Sequence, residues 1–183
     1  MAVAVQKMVN ARVAGVAMTL NPTNGDRSKV TVDASWGVGE AVVSGIVTPD
    51  NILLDKVMLC VVDEYLGDKH IELVPDATAG RLAEREVEPE RRSVRCLTDA
   101  ELVAVAEMAK RAERHYGCPQ DIEWALDADL PDGESLLLLQ ARPETVHSAK
   151  AAAPAAVPAA APTSTGGFSM AGLTAHLTKP TQS

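Results

Sequence analysis

Asp121 and Glu123 stand two residues apart in Asp121-Ile-Glu-Trp-Ala-Leu126, and Gln140 and Arg142 two apart in Leu139-Gln-Ala-Arg142. Side chains alternate across a β-strand, so each of these pairs faces one way. Pro131-Asp-Gly133 lies between the two segments and suits a turn. If the strands pair, two carboxylates lie beside a carboxamide and a guanidinium. A hard divalent cation takes oxygen ligands, and Glu123 with the Gln140 amide oxygen can supply two of them. Arg142 can neutralise phosphate oxygens held by the same cation. The alternative is a surface hairpin whose acids and arginine form solvated ion pairs, worth about 1 kcal/mol at most. The apolar run Leu136–Leu139 beside the polar positions points to a core-facing strand, and so to a cleft.

Gly37-Val-Gly39-Glu40 forms a second candidate. Glycines let a backbone approach phosphate, and a helix start that follows them attracts anions. The segment has neither the dinucleotide fingerprint nor a P-loop lysine, and a plain tight turn explains it as well. His70, His115, His147 and His176 have no partner at metal-ligand spacing and read as surface residues. No Ser/His/Asp or Cys/His set can be assembled, so covalent catalysis by this chain alone is not expected.

The elements that must position these residues follow from periodicity. Val3–Val9 and Gly15–Leu20 read as strands, joined to a third at Val30–Ser35 by the Asn-Gly chemistry of Asn21–Arg27. A short helix or an extended turn begins over Ala41–Ser44, and a pair of short strands fits 52–60 and 69–74. The pattern at 99–116 is helical. Thr98 and Glu101 form a capping box, Leu102, Val105, Ala106 and Ala109 make an apolar stripe, and Gly117 suits the position past the end. His115 falls in the last turn, where the helix dipole favours positive charge.

The chain has 183 residues, 46% of them hydrophobic but only 3% aromatic, so its core is aliphatic. A net charge of −8 argues against a general nucleic-acid or anionic-membrane surface. There is no apolar run of membrane-spanning length and no signal-peptide pattern, and Cys60, Cys96 and Cys118 show no pairing motif. A cytoplasmic protein with free thiols is the expectation. Residues 1–147 read as one globular domain. The Ala/Pro-biased stretch that follows suggests a flexible tail over 148–183.

Five segments occur in one order: Val5-Gln-Lys-Met-Val9, Gly15-Val-Ala-Met-Thr-Leu-Asn-Pro22, Ala34–Glu40 with Ser44–Asp50, Asp121-Ile-Glu-Trp124, and Leu139–Thr145. Together they resemble the C-terminal half of the ATP-grasp domain of the pyruvate,water dikinase and pyruvate,phosphate dikinase family. Phenylphosphate synthase, which shares the domain, carries its nucleotide-binding and histidine-bearing parts on different subunits. The resemblance implies an α+β fold, mostly antiparallel sheet with packed helices, that binds ATP and Mg²⁺.

It also implies roles for single residues. Glu123 and Gln140 match metal ligands, and Arg142 matches the arginine on the transferred phosphates. Asp121 matches an acid beside the metal, and Glu40 the glutamate of the glycine loop. Gln6, Lys7, Met8 and Val9 match a hinge strand whose backbone reads adenine. In that family the phosphoryl group passes to a histidine on a separate domain and then to an acceptor such as pyruvate or phenol. The implied partners are a polypeptide carrying the N-terminal half and a phosphohistidine domain or subunit. A truncated, non-catalytic assembly module of the same family is the other reading.

Overall fold

The computed structural model describes residues 3, 5–76 and 78–147. The order of elements is β1 (Ala11–Met18), β2 (Lys29–Trp36), α1 (Glu40–Val43), β3 (Asp50–Asp55) and β4 (Val61–Tyr65), then β5 (Ile71–Asp76), β6 (Arg81–Glu86) and α2 (Pro89–Arg92), and finally α3 (Asp99–Tyr116), β7 (Gln120–Asp127) and β8 (Leu136–Pro143). Six strands form one antiparallel sheet in the order β4-β3-β2-β1-β7-β8, and β5 and β6 form a separate hairpin. The architecture is the expected α+β one, with a mostly antiparallel sheet.

One face of the large sheet is dry because α3 covers it. Thr98 Oγ1 accepts from the Glu101 amide, and the Glu101 carboxylate accepts from the Thr98 amide at 2.8 Å, closing the capping box. Gly117 ends the helix at φ 70°, a left-handed value that costs glycine little. Between these stops Leu102, Val105, Ala106, Ala109 and Ala112 are buried. They pack on Val13, Ala17, Val32, Ile52, Ile122, Trp124 and Leu126. The small alanines let the helix lie close to the sheet, and Trp124, 0% exposed, fills the centre. Each large side chain buried here contributes about 1.5–3 kcal/mol.

A buried ion pair ties the loops to this frame. Asp50, at the start of β3, accepts from Lys69 Nζ, from the Gly67 amide at 3.1 Å and from the Cys96 amide at 3.0 Å. Both charged side chains are fully buried, so each is tolerable only because the other is present.

Several sequence expectations need correction. The described part of Val3–Val9 lies in no strand; Val5 is 94% exposed, and no strand among the described residues pairs with the segment. The first strand begins at Ala11 and ends before Thr19 and Leu20. The short strands expected across 52–60 and 69–74 are present with shifted bounds, as β3 and β5, and are not partners of each other. Instead β3 pairs with β4 and β5 with β6, around turns in which Asp55 and Asp76 each accept from two amides. Leu136–Leu139 is not a core run, because β8 is an edge strand and Leu138 remains 46% exposed. The tail expected over 148–183, with His176, lies outside the described residues.

Candidate functional site

The other face of the sheet carries the polar positions that the sequence singled out. Across β7 and β8, Asp121 stands opposite Arg142 and Glu123 opposite Gln140. Directly opposed residues of an antiparallel pair share a face, so all four side chains project to the same side. That side is the one away from α3, since Ile122 and Trp124 point into the helix-covered core.

A β-bulge makes this arrangement possible. Trp124 pairs with Leu138 but Glu123 pairs with Gln140, so Leu139 is an extra residue on β8. Without it, strict alternation from Leu136, which packs toward α3, would turn Gln140 and Arg142 toward α3 as well. The bulge shifts the phase, leaving Leu139 and Gln140 both on the open face.

Electrostatics around Asp121 fit a missing positive partner. Burial pushes its carboxyl above the ordinary carboxylate range, while Arg142 pulls it down and Glu144 adds repulsion. Arg142 Nε lies 3.6 Å from Asp121 Oδ2, and the arginine is 65% exposed, so the pair alone is weak. Asp121 Oδ1 is buried without a hydrogen-bond partner among the described residues. Such an orphaned acceptor costs free energy unless a cation, a donor or water meets it.

A cavity of about 230 Å³ opens on the same face, with walls that include Gln6, Lys7, Met8, Val9, Gly39 and Leu139. The segment expected as a hinge strand is thus a cavity wall, held in irregular backbone, with Gln6 Nε2 reaching the Leu139 carbonyl at 3.5 Å. Glu40 opens α1 one residue beyond Gly39 and is exposed. The bulge residue Leu139 therefore belongs to the cavity, and its neighbour Gln140 to the polar row.

The sequence reading missed Asp33. It sits on β2 across from Val16 of β1, and Val16 in turn faces Glu123, so Asp33 extends the polar row two strands onward. Burial raises its carboxyl above the ordinary range, and Asn51 donates a hydrogen bond to it. The alternation of Val30-Thr-Val-Asp-Ala-Ser35 already put Asp33 on the polar side of its strand. Only the register across β1 brings that side to Glu123.

The donor set suits Mg²⁺ held in part by a ligand. Among the described residues, no three His, Cys, Asp or Glu side chains come together to hold a metal. Mg²⁺, unlike a caged ion, is usually bound by one or two carboxylates with water and phosphate oxygens completing its shell. Glu123, the Gln140 amide oxygen and the orphaned Asp121 oxygen fit that role. No described helix is long and apolar enough to cross a membrane.

Residues 1–161 match the family of the pyruvate phosphate dikinase AMP/ATP-binding domain. Among curated proteins, the chain is similar to a probable phosphoenolpyruvate synthase of Methanothermobacter thermautotrophicus, 44% identical over 79% of this chain and 20% of that protein. It is 38% identical to a probable phosphoenolpyruvate synthase of Staphylothermus marinus over 82% of this chain and 20% of that one. The phosphoenolpyruvate synthase of Pyrococcus furiosus is 40% identical over 81% of this chain and 18% of its own length. The chain thus spans about a fifth of the length of these relatives.

Proposed function

The chain belongs to the pyruvate phosphate dikinase AMP/ATP-binding domain family, and from that premise we propose that the open face of its sheet is one wall of an ATP·Mg²⁺ site. The observation that carries this reading is the paired row Asp121–Arg142 and Glu123–Gln140, on the same face as the cavity bounded by Gln6–Val9. Adenine would enter the cavity, where backbone groups of Gln6–Val9 meet its edge and Met8, Val9 and Leu139 supply apolar walls. The triphosphate would run along the face toward Gln140 and Arg142, with Glu40 near the phosphate end.

Glu123 and Gln140 would hold Mg²⁺, with Asp121 beside them. A bound Mg²⁺ supplies charge neutralisation on the phosphate oxygens. Arg142 stabilises negative charge on the transferred phosphoryl group, which is most of what a protein contributes to such a step. A volume of about 230 Å³ is small beside the roughly 300–1,000 Å³ of complete ligand sites. That favours a site completed by a second wall, the polypeptide carrying the N-terminal half. In the finer reading ATP yields AMP and phosphate, and a histidine on a partner domain carries a phosphoryl group to an acceptor such as pyruvate or phenol. The chain alone would then turn over no ATP. A cytoplasmic setting fits this reading.

The test pairs the chain with the polypeptide carrying the N-terminal half and follows Mg²⁺-dependent conversion of ATP to AMP. Glu123→Ala and Gln140→Ala should lose activity that excess Mg²⁺ partly restores. Arg142→Ala should slow turnover by a factor of about 10³ or more without such rescue. Glu134→Ala, in the turn between β7 and β8, should change little. If all four variants behaved alike, the hairpin would be scaffold and the reading would fall, leaving the chain as an assembly module.

A further inference from the structure

The glycine loop 37–40 has little to hold it in place by itself, since α1 is a single turn of four residues. Its position comes from outside. The Gly37 amide donates to the Arg12 carbonyl at 3.0 Å, and the Val38 amide donates to the Leu73 carbonyl at 2.9 Å. Gly37, at φ 76°, meets Leu73 so closely that a Cβ there would overlap the Leu73 carbonyl oxygen. The loop is therefore seated on β5, which belongs to a two-stranded hairpin outside the large sheet. A lone hairpin is marginal in water, so something must fix it against the sheet.

Arg91 of α2 touches both sides of that joint. Its guanidinium carbon lies 4.3 Å from the ring centroid of Trp36, the last residue of β2, and its carbonyl accepts from Trp36 Nε1 at 3.1 Å. The same guanidinium reaches Glu72 of β5 at 3.5 Å and Glu88 at 2.8 Å. The Glu72 side chain is only 3% exposed and also accepts from Arg85 Nε at 2.8 Å, so a buried carboxylate is held between two arginines. A carboxylate that deep is tolerable only with such partners. One residue beyond Trp36 is Gly37, and one beyond Glu72 is Leu73, where the two backbones meet.

We infer that Arg91 is a positioning residue for the nucleotide cavity, bridging Trp36 and Glu72 so that the loop from Gly37 to Glu40 is held where Gly39 lines the cavity wall. The inference rests on the nucleotide reading above for its consequence, but the loop geometry stands apart from it. Arginine is the residue the joint needs, because a planar guanidinium can stack on an indole and meet a carboxylate at its edge together. Lysine keeps the charge and part of the cation–π attraction but loses the fork.

The full 183-residue chain is compared with Arg91→Ala, Arg91→Lys and the control Lys110→Ala, half-buried on α3 away from the joint, without nucleotide and then with Mg²⁺·ATP and the partner half. Arg91→Ala should speed amide exchange at Val38 roughly tenfold or more, while amides in the middle of α3 and β1 keep their protection. Trp36 emission should change in the same variant, since Trp124 lies buried beneath α3. Arg91→Lys should fall between, and Lys110→Ala should match the parent. ATP affinity should drop for Arg91→Ala. Unaltered exchange at Val38, or an equal loss at every amide, overturns the inference whether or not ATP binds. Faster exchange at Val38 with ATP affinity unchanged overturns it too. Failure of the unsubstituted assembly to bind ATP would instead defeat the nucleotide reading.

Discussion

The two faces of the large sheet are made by the same strands, yet the one away from α3 is covered only in part, by a smaller apolar cluster that includes Ala14, Ala41, Leu73 and Ala125. Under α3, alternate residues of β1, β2, β3 and β7 meet a helix whose small side chains let it come close, and Trp124 and its aliphatic neighbours are sealed from water. The opposite face keeps Asp33, Asp121 and Glu123 in a row, with an arginine largely in solvent and an Asp121 oxygen that has no hydrogen-bond partner among the described residues. Hydrophobic burial stabilises the first face whatever else is present. The second face gains its missing interactions only when something charged or hydrogen-bonding arrives. The difference separates residues that hold the fold from residues available to a ligand.

Substitution on the closed face should show the largest effect on stability. Trp124→Ala removes the central side chain of the dry layer and should cost about 3–5 kcal/mol, read from chemical denaturation. A loss below about 1 kcal/mol would mean that α3 does not seal this face, and the contrast would collapse.

Removal of Leu139 acts at the boundary between the faces. Deleting the bulge restores plain alternation, so Gln140 and Arg142 can no longer share the open face with Glu123 while Leu136 keeps its place under α3. Mg²⁺-dependent ATP binding by the assembly with the partner half should weaken tenfold or more, equivalent to about 1.4 kcal/mol or more. Binding that survives the deletion intact would place the ligand elsewhere.

The smallest effect belongs to Asp121→Asn. The folded carboxyl lies above its unfolded value, mainly through burial. A group shifted this way favours the folded state when protonated, so its contribution is present below the unfolded value and lost as pH rises through the folded one. The parent chain should therefore carry a small penalty at pH 7 that asparagine lacks. Without Mg²⁺ or nucleotide, Asp121→Asn should melt slightly higher at pH 7, with the difference closing as pH falls toward about 4. A difference that grew on acidification would reverse the assigned cause.

Much of the local structure was legible because it depends on near neighbours. Thr98, Glu101, the apolar stripe and Gly117 specified α3 to the residue, since capping and helical periodicity act within a few positions. The turn after β1 was readable from its Asn and Gly residues for the same reason. The hairpin β5–β6 was not, because Arg81-Leu-Ala-Glu-Arg-Glu86 has no clean alternation. Its place depends on Leu73 meeting Gly37 and on Glu72 meeting two arginines, contacts between distant segments. The buried pair Asp50–Lys69 was hidden in the same way: in sequence both residues look like ordinary surface charges.

For the candidate site, sequence by itself determined which side chains share a strand face: Asp121 with Glu123, Gln140 with Arg142, Thr31 with Asp33. That follows from the two-residue period of an extended chain and needs no partner. Whether those faces coincide was decided only in three dimensions, by the register of β7 on β8 and of β2 on β1, and by one extra residue at Leu139. The period of a strand is local, but its phase relative to a neighbour is set by hydrogen-bonded pairing and by which side chains α3 can bury. A shift of one residue would invert it.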